Sequence, residues 1–466
     1  MLTNMSRFPA AVLFIASVIS LSAQSADNAW LAQYRPIAAR IIAESQSSDF
    51  GWQRLAELTD TFGHRLSGSD TLEKAIDWAV LAMKKDRLDN VHKEPVMVPK
   101  WVRGQESLEL IQPVRQSLPM LGLGNSVGTP AAGVEGDVIV VKNFDELDAR
   151  GAAVKGKIVL FNVPFTTYGE TVVYRRNGPS RAAKLGAVAM LLRSVGPIGL
   201  RTPHTGATVY EEGAPKIAAA AIPAEDADRF QRIQDRGGVR IRVKLNMAAH
   251  FEPDSQSYNV VGEIRGRERP DEVIVVGGHL DSWDVGSGAS DDGGGCIVTW
   301  EALRLMRKLE LQPRRTIRVV LFTNEENGGR GGAGYRDAHQ AELGKHVLML
   351  ESDGGVFDPA GFGFTGPAQA RPTVTAIASL LTSIGADRVT EGGGGADIEP
   401  AATAGKIPMM SHRNKGEENG QYFLIHHTPA DTIARITPKQ VSDNAAAIAV
   451  MIYAIADLPW KLGEEK

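Results

Sequence analysis

The sequence predicts an α/β protein with a three-layer α/β/α core, built on a mostly parallel mixed sheet, and an inserted β-rich domain. Short apolar runs alternate with helical patterns from about residue 255 to 460, which is typical of a parallel sheet covered by helices. Between about 115 and 250 the pattern changes to short strand candidates separated by glycine and proline. The length of 466 residues also exceeds what one ordinary hydrophobic core accommodates. These observations predict the N-terminal part of the main domain at 26–114, the inserted domain at 115–250 and the core of the main domain at 251–466.

Hydrophobic periodicity and turn residues predict the individual elements. The predicted helices are 29–45, 71–88, 180–185, 296–309, 373–384 and 438–455. The predicted strands are 137–141, 157–162, 187–192, 272–276, 316–322 and 347–350. The helix at 71–88 carries apolar residues at helical spacing, and the strands at 137–141 and 157–162 are each bounded by turn residues.

Composition indicates a globular protein rather than a disordered or nucleic-acid-binding one. Hydrophobic residues make up 43% of the chain and charged residues 23%, and the formal net charge is −4. The sequence has no long basic run, so no nucleic-acid partner is expected. Cys296 is the single cysteine, which excludes an internal disulfide and favours the role of a small buried residue.

The N-terminus has the layout of a secretory signal peptide at 1–25. Arg7 precedes an apolar run from Ala10 to Leu21, and small residues follow it. That run is shorter than the roughly 20 apolar residues that span a bilayer, and no other segment approaches this length. We therefore expect an exported protein, periplasmic or extracellular, without stable membrane insertion after cleavage. An uncleaved membrane anchor is the alternative.

Several predicted strands end in acidic or imidazole residues. His279 and Asp281 follow the strand at 272–276, and Glu325 follows the strand at 316–322. The remaining candidates of this kind are Asp291, Glu326, Asp353, His426 and His427. Carboxyl ends of parallel strands meet at one edge of a sheet, so these side chains are expected to converge. So many carboxylates would repel one another unless cations shared the space.

The residue types favour zinc, because imidazole nitrogen and carboxylate oxygen are present and thiolate is absent. Five ligands are expected: His279, Asp291, Glu326, Asp353 and one of His426 and His427. A catalytic site with one zinc ion typically uses three protein ligands, so five indicate two Zn²⁺ per chain with one bridging carboxylate. Asp291 is the best bridge, because it precedes a glycine run and a predicted helix.

The motifs resemble those of the co-catalytic zinc aminopeptidase and carboxypeptidase superfamily. The resemblance rests on "GHLDSWDVGSGASDDGGG", "NEENGG", "ESDGG", "HHTPADT" and "FGHRLSGS", and it extends over most of the mature chain. It implies a zinc aminopeptidase-like fold with an inserted protease-associated domain, and a homodimer. His64 stands where the family usually has proline.

The resemblance also implies a role for each residue. His279, Asp291 and Asp353 would hold one metal, and Asp291, Glu326 and the late histidine the other. The family pattern favours His427 over His426 for that position. Glu325 would be the general base, and Asp281 would orient His279 or support the site from behind.

Other polar residues near these motifs are expected to have ordinary roles. Asp284 and Asp292 are interpreted as loop or capping residues, and Asp431 as a support for His427 or a turn residue. His204 is expected to be an ordinary surface or core histidine. The basic stretch 175–181 is expected to be a solvated face.

We therefore predict an exported di-zinc metallopeptidase that hydrolyses small peptides or dipeptides through a hydroxide bridging the metals, with Glu325 as base. Whether it is an aminopeptidase or a carboxypeptidase stays open. A di-zinc deacylase acting on N-acyl amino acids is one alternative, although its bridging aspartate lies further from the histidine than the twelve positions found here. A catalytically silent receptor-like homologue would usually lack a ligand or the base. A glutaminyl-cyclase-like transferase would bind one zinc ion.

Overall fold

The computed structural model describes residues 29–464, and the predicted signal peptide at 1–25 lies outside the described residues. The α-helices are α1 (Tyr34–Gln46), α2 (Phe50–Phe62), α3 (Asp70–Lys85), α4 (Phe144–Arg150), α5 (Tyr168–Lys184), α6 (Ala224–Arg236), α7 (Gly294–Lys308), α8 (Arg330–Ala338), α9 (Arg371–Ala378), α10 (Glu399–Gly405), α11 (Lys415–Glu418) and α12 (Pro438–Asp457). The strands are β1 (Asp89–Val102), β2 (Glu106–Gln112), β3 (Gln116–Leu118), β4 (Leu121–Gly122), β5 (Val134–Val141), β6 (Ile158–Phe161), β7 (Ala189–Arg193), β8 (Ala218–Ile222), β9 (Arg242–Met247), β10 (His250–Ile264), β11 (Arg269–His279), β12 (Arg315–Phe322), β13 (His346–Glu351), β14 (Pro359–Thr365), β15 (Arg388–Glu391) and β16 (Met409–Asn414).

The first sheet has eight strands in the order β1-β10-β12-β11-β13-β16-β14-β15. Its centre is parallel, because β12, β11, β13 and β16 run in the same direction. The pairs β1–β10, β10–β12 and β14–β16 are antiparallel, so the sheet is mixed. Every residue of β12 and β13 is buried, as expected of strands that are covered on both faces.

Helices cover both faces of this sheet. On one face, α1, α2, α3, α7, α9 and α12 pack into a hydrophobic core that includes Ile274, Val276 and Val319. On the other face, α8 and α10 pack against Val275 and Val320. Because neighbouring strand residues point to opposite faces, these alternating positions build the two cores of an α/β/α arrangement.

The second sheet is also mixed, with the order β3-β2-β9-β5-β6-β7-β8-β4. Strands β5 to β8 are parallel neighbours, and β2, β3, β4 and β9 join antiparallel. We call the segment from Glu106 to Met247 the second-sheet unit. It contains α4, α5 and α6 as well as strands, and the long strands β1 and β10 connect it to the rest of the chain. The predicted boundaries at 115 and 250, and the protease-associated character of this unit, stay predictions.

Helix α5 is longer than its predicted counterpart at 180–185. It begins at Tyr168 and contains Pro179 and Gly178, both of them buried. None of the helices between residues 29 and 464 combines the length and the apolar character needed to cross a bilayer.

Candidate metal centre and active site

The candidate centre lies at the carboxyl edge of the parallel strands in the first sheet. His279 is the last residue of β11, which lies between β12 and β13. Glu325 follows the end of β12, and Asp353 follows the end of β13. Since all three strands are parallel, their ends bring these side chains together.

One group of side chains surrounds His279. Its Nε2 lies 3.3 Å from Oδ1 of Asp291 and 3.3 Å from Oδ1 of Asp353. Oε2 of Glu325 lies 4.0 Å from the same nitrogen. On the other side of the ring, Nδ1 lies 3.0 Å from the backbone oxygen of Asp281, which leaves Nε2 facing the carboxylates.

A second group surrounds His427. Its Nε2 lies 3.0 Å from Oε2 of Glu326 and 3.1 Å from Oδ2 of Asp291. The His426 ring stacks on the His427 ring with centroids 3.5 Å apart, and its Nε2 is 3.5 Å from Asp291 Oδ2. The two oxygens of Asp291 therefore face different imidazoles, Oδ1 towards His279 and Oδ2 towards His427.

The donor atoms at this edge fit metal ions. Possible ligand atoms lie within 4.8 Å of one another in three overlapping groups. These groups are Asp291, His426 and His427; His279, Asp292 and Asp353; and His279, Asp291 and Glu326. His279 Nε2, Asp291 Oδ2 and Glu326 Oε1 are buried and lack a hydrogen-bond partner among residues 29–464. Buried polar atoms are normally paired, so atoms left in this way fit cation binding.

The pKa values of the carboxyl groups also fit cation binding at this site. Burial raises the pKa of Glu325 well above its usual value, although the nearby His279 acts to lower it. The negative charge of Asp353 adds to the increase. Burial and the charge of Asp291 likewise raise the pKa of Glu326 to about 7. Burial also raises the pKa of Asp353. Carboxyls crowded in this way are stabilised as anions by cations.

Asp281 supports the centre through its backbone and its side chain separately. Its carboxylate accepts hydrogen bonds from the backbone amides of Glu325 and Glu326, at 3.1 and 3.3 Å, and from the Ser67 hydroxyl at 3.1 Å. Its Oδ1 lies 3.8 Å from His279 Nδ1, whereas its carbonyl oxygen lies 3.0 Å from that nitrogen. The carboxylate therefore holds the turn that carries the paired glutamates.

Asp431 and Asp292 hold the loop that carries Asp291. Asp431 accepts hydrogen bonds from the backbone amides of Ser290 and Asp291, at 2.7 and 3.1 Å. Asp292 accepts from the backbone amides of His279 and Gly295, both at 3.0 Å. The side chain of Asp431 thus positions Asp291 rather than His427.

The glycine run after Asp292 is required by close packing. A Cβ at Gly295 would lie 1.8 Å from the carbonyl oxygen of Ser352 and 2.2 Å from Oδ1 of Asp292. Only glycine therefore allows α7 to begin against the end of β13.

The loop "FGHRLSGS" packs against the loop from Leu280 to Asp291, which we call the metal-centre loop. The guanidinium of Arg65 is fully buried and donates to the carbonyl oxygens of Leu280, Ser287 and Gly288 at 2.7 to 2.9 Å. His64, which replaces the usual proline, is exposed. The unusual residue therefore lies outside these contacts.

The sequence analysis missed residues of the second-sheet unit that contact the centre. The expectation that 175–181 is a solvated face is wrong at Arg175, which is buried and has Nη1 3.3 Å from His427 Nδ1. His204 is also buried, and its Nδ1 lies 2.8 Å from the backbone oxygen of His426. These contacts join distant parts of the chain, so no local sequence pattern marks them.

A cleft of about 560 Å³ opens beside the centre, between the second-sheet unit and the rest of the chain. The candidate centre and the segments beside it contribute Asp291, Glu325, Glu326, Asp353, Glu417, His426 and His427 to its lining. The second-sheet unit contributes Tyr168, Val172, Arg175, Arg176, Ala207 and Val209. A cleft of this size is within the usual range for small-molecule sites.

Imidazoles and carboxylates that converge at the carboxyl edge of a parallel sheet, beside a cleft of this size, define a metal-dependent hydrolase. The model of peptidase family M28 matches residues 259–452. Carboxypeptidase Q of Mus musculus is 43% identical over 431 residues, which cover 92% of this chain and 91% of that protein. The crystal structure of a peptidase M28 precursor from Shewanella amazonensis SB2B is 34% identical, with a TM-score of 0.88, over 92% of this chain and 98% of that one.

The chain therefore belongs to peptidase family M28, as a metallo-exopeptidase similar to carboxypeptidase Q. The family inferred from the sequence motifs is confirmed. A zinc aminopeptidase from Bacillus subtilis shares the fold at 18% identity, with a TM-score of 0.65 over 89% of this chain and 96% of that one.

Proposed function

We propose that this protein is an exported di-zinc exopeptidase that hydrolyses small peptides, dipeptides above all, with Glu325 as general base. The observation that carries the proposal is the orientation of Asp291, whose two carboxylate oxygens face His279 and His427 separately. A carboxylate placed in this way is suited to bridge two metal ions.

The assignment of ligands follows the two groups of side chains. His279 and Asp353 would hold one zinc ion, and Glu326 and His427 the other, with Asp291 shared between them. His427 is preferred to His426, because its Nε2 approaches both Glu326 and Asp291 within 3.1 Å. Nδ1 of His426 lacks a hydrogen-bond partner among the described residues, and its Nε2 is further from Asp291.

When bound, two zinc ions would polarise the scissile carbonyl and make water a nucleophile at neutral pH. Glu325 lines the cleft, and its side chain is 23% exposed, so it can reach the attacking water. It would take a proton from that water and donate it to the leaving amine. Asp281 would keep the base in place through the Glu325 backbone amide.

The cellular setting is part of the proposal. Export rests on the charged and apolar layout of residues 1–25, and small peptides are the partners that a cleft of about 560 Å³ accommodates. A homodimer is proposed on the family resemblance.

The test compares wild type with Glu325→Gln, and uses Glu212→Gln as the matched control on an exposed glutamate away from the cleft. Each protein is assayed with free dipeptides, N-acetylated dipeptides and N-acyl amino acids, and its zinc content is measured. We expect two zinc ions in all three proteins, hydrolysis of free dipeptides by wild type and the control, and a loss of about 10²–10⁴-fold in Glu325→Gln.

Each other outcome has a definite meaning. Full activity in Glu325→Gln would show that Glu325 is not the general base. A preference for N-acyl amino acids would favour the deacylase alternative, and no hydrolysis by a zinc-loaded wild type would favour a silent homologue.

A further inference from the structure

The loop that carries His426 and His427 is held by the second-sheet unit. The backbone amide of Thr205 donates to the carbonyl oxygen of His427 at 3.0 Å. Nδ1 of His204 lies 2.8 Å from the carbonyl oxygen of His426. Two consecutive carbonyl groups of this loop are therefore bound by two consecutive residues of the other unit.

The ring of His427 is held by the same segment. Its Nδ1 lies 3.4 Å from the carbonyl oxygen of Thr205, on the opposite side of the ring from Asp291 and Glu326. A hydrogen bond from Nδ1 to a carbonyl oxygen fixes the ring orientation that presents Nε2 to a metal.

Arg175 binds the backbone of the segment that contains Thr205 and so fixes its position. Its guanidinium donates to the Tyr168 hydroxyl at 2.8 Å and to the carbonyl oxygens of Ala207 and Thr205 at 3.2 and 3.4 Å. A Cβ on Gly206 would lie 2.1 Å from Arg175 Nη1, so the glycine between Thr205 and Ala207 makes room for the guanidinium. These three acceptors fix Arg175 beside the His427 ring.

The backbone of His427 needs such support. Its φ angle is 59°, in the left-handed region that non-glycine residues seldom adopt. A non-glycine residue in this region is strained, and the conformation persists only where its surroundings impose it. The bond from Thr205 to the His427 carbonyl is such a constraint.

We propose that the second-sheet unit is a working part of the metal centre, in which Arg175, His204 and Thr205 are positioning residues for His427. We call these three residues the clasp. The clasp acts on only one of the two groups of ligands, because its contacts reach His426 and His427 and not His279 or Asp353. The proposal rests on the proposed function, since it takes His427 as a ligand.

The experiment measures the two zinc affinities by competition with a chelator in wild type, Arg175→Gln, His204→Ala and His204→Asn. Arg181→Gln is the matched control, because Arg181 lies on the same helix and pairs with Asp148 on the surface. We expect Arg175→Gln and His204→Ala to weaken one zinc ion by about 10–100-fold and to leave the other unchanged. His204→Asn keeps an N–H donor for the His426 carbonyl and is expected to recover most of the loss. Arg181→Gln is expected to match wild type.

The outcomes separate this proposal from the proposed function. Two zinc ions bound with wild-type affinity in both Arg175→Gln and His204→Ala would overturn the clasp alone, as would equal weakening of both ions. If Arg175→Gln does not fold, the two His204 variants decide, and failure of His204→Asn to recover affinity would overturn the role of that hydrogen bond. A wild-type protein that binds fewer than two zinc ions would overturn the proposed function and the clasp with it.

Discussion

Asp281 lies beneath the turn that carries Glu325 and Glu326, and its carboxylate accepts hydrogen bonds from both of their backbone amides. The residue is completely buried, and its third bond comes from the Ser67 hydroxyl. An anionic acceptor is well matched to several N–H and O–H donors, and bonds of this kind are stronger than those between neutral groups. The residue thus acts on Glu325 and Glu326, the proposed base and a candidate ligand, through their backbone.

The variant Asp281→Asn is therefore expected to lower kcat/KM by about 10–100-fold and to lower the melting temperature. The asparagine amide would keep one acceptor oxygen but would place its NH2 group against the backbone N–H of either Glu325 or Glu326. Ser67→Ala removes only one of the three bonds and is expected to have a smaller effect on both measurements. Peptidase kinetics and thermal unfolding of the two variants check this order. An Asp281→Asn protein as active and stable as wild type would show that the carboxylate does not hold the turn.

The residues that converge at the candidate centre could be predicted from the sequence, whereas the residues that hold them could not. His279, Glu325 and Asp353 follow recognisable strands, so the topology of a parallel sheet brings them together. Arg175 has partners 30 and 252 positions away in the chain, at Thr205 and His427. Nothing local distinguishes such an arginine from a solvated one.

At the scale of elements, the predictable helices were those with a clear apolar pattern. The helix predicted at 438–455 corresponds to α12, which is buried over most of its length and begins with a capping box at Thr437. Helix α5 lacked such a signal, because its sequence is polar overall and Gly178 and Pro179 interrupt it. A Cβ at Gly178 would lie 2.8 Å from Met190 Sδ, so tertiary packing explains the glycine.

A polar network, buried at Glu94 and Arg318, joins β1 to the segment after α8. Glu94 on β1 lies 2.8 Å from Nε2 of His339 and 3.2 Å from Nε2 of His92. Nδ1 of His339 lies 2.6 Å from Glu342, which also accepts from Arg318 on β12. Burial alone would raise the pKa of Glu94, but the bonds with His339 and His92 lower it to about 2.

This shift predicts a pH dependence of stability that belongs to these elements. Because the pKa of Glu94 is lower in the folded protein, its contribution is present above about pH 4.5 and is lost as the pH falls towards about 2. Glu94→Gln is expected to lower the free energy of unfolding at neutral pH by about 2 kcal/mol. The difference from wild type should disappear in strong acid.

Urea unfolding of metal-free protein across this pH range tests the prediction without the titration of metal binding. Glu252→Gln on β10 is the control, because its pair with Lys100 is exposed and such pairs contribute little. A constant difference between Glu94→Gln and wild type from neutral pH to pH 2 would contradict the assignment.

At the scale of the whole molecule, the second-sheet unit and the first sheet meet over the loop that carries Asp291. Trp283 in this loop is buried, and its ring centroid lies 5.7 Å from that of His427 and 6.4 Å from that of Trp101. The neighbouring Asp284 pairs with both Nε and Nη2 of Arg103, at 2.9 and 2.5 Å. Arg103 also donates to the carbonyl oxygen of Gly122 in the second-sheet unit at 2.6 Å, so the loop that carries a candidate ligand is joined to that unit through Arg103.

Gly124 of the second-sheet unit packs directly against Trp283, because a Cβ there would lie 1.8 Å from Cη2 of the indole. Gly124→Ala is therefore expected to displace the ring, to destabilise the protein by about 1–3 kcal/mol and to lower peptidase activity. The matched control is Gly169→Ala on α5, whose Cβ would meet nothing within 4 Å, and which should keep wild-type activity. Trp283→Phe removes the ring atoms that the new methyl group would strike, so the double variant should be more active than Gly124→Ala alone. The measurements are kcat/KM and thermal unfolding for wild type, the three single variants and the double variant. If the activity of the double variant equals the product of the two single effects, the loss of activity in Gly124→Ala is not caused by displacement of Trp283. In that case the contact between Gly124 and the metal-centre loop does not affect the centre.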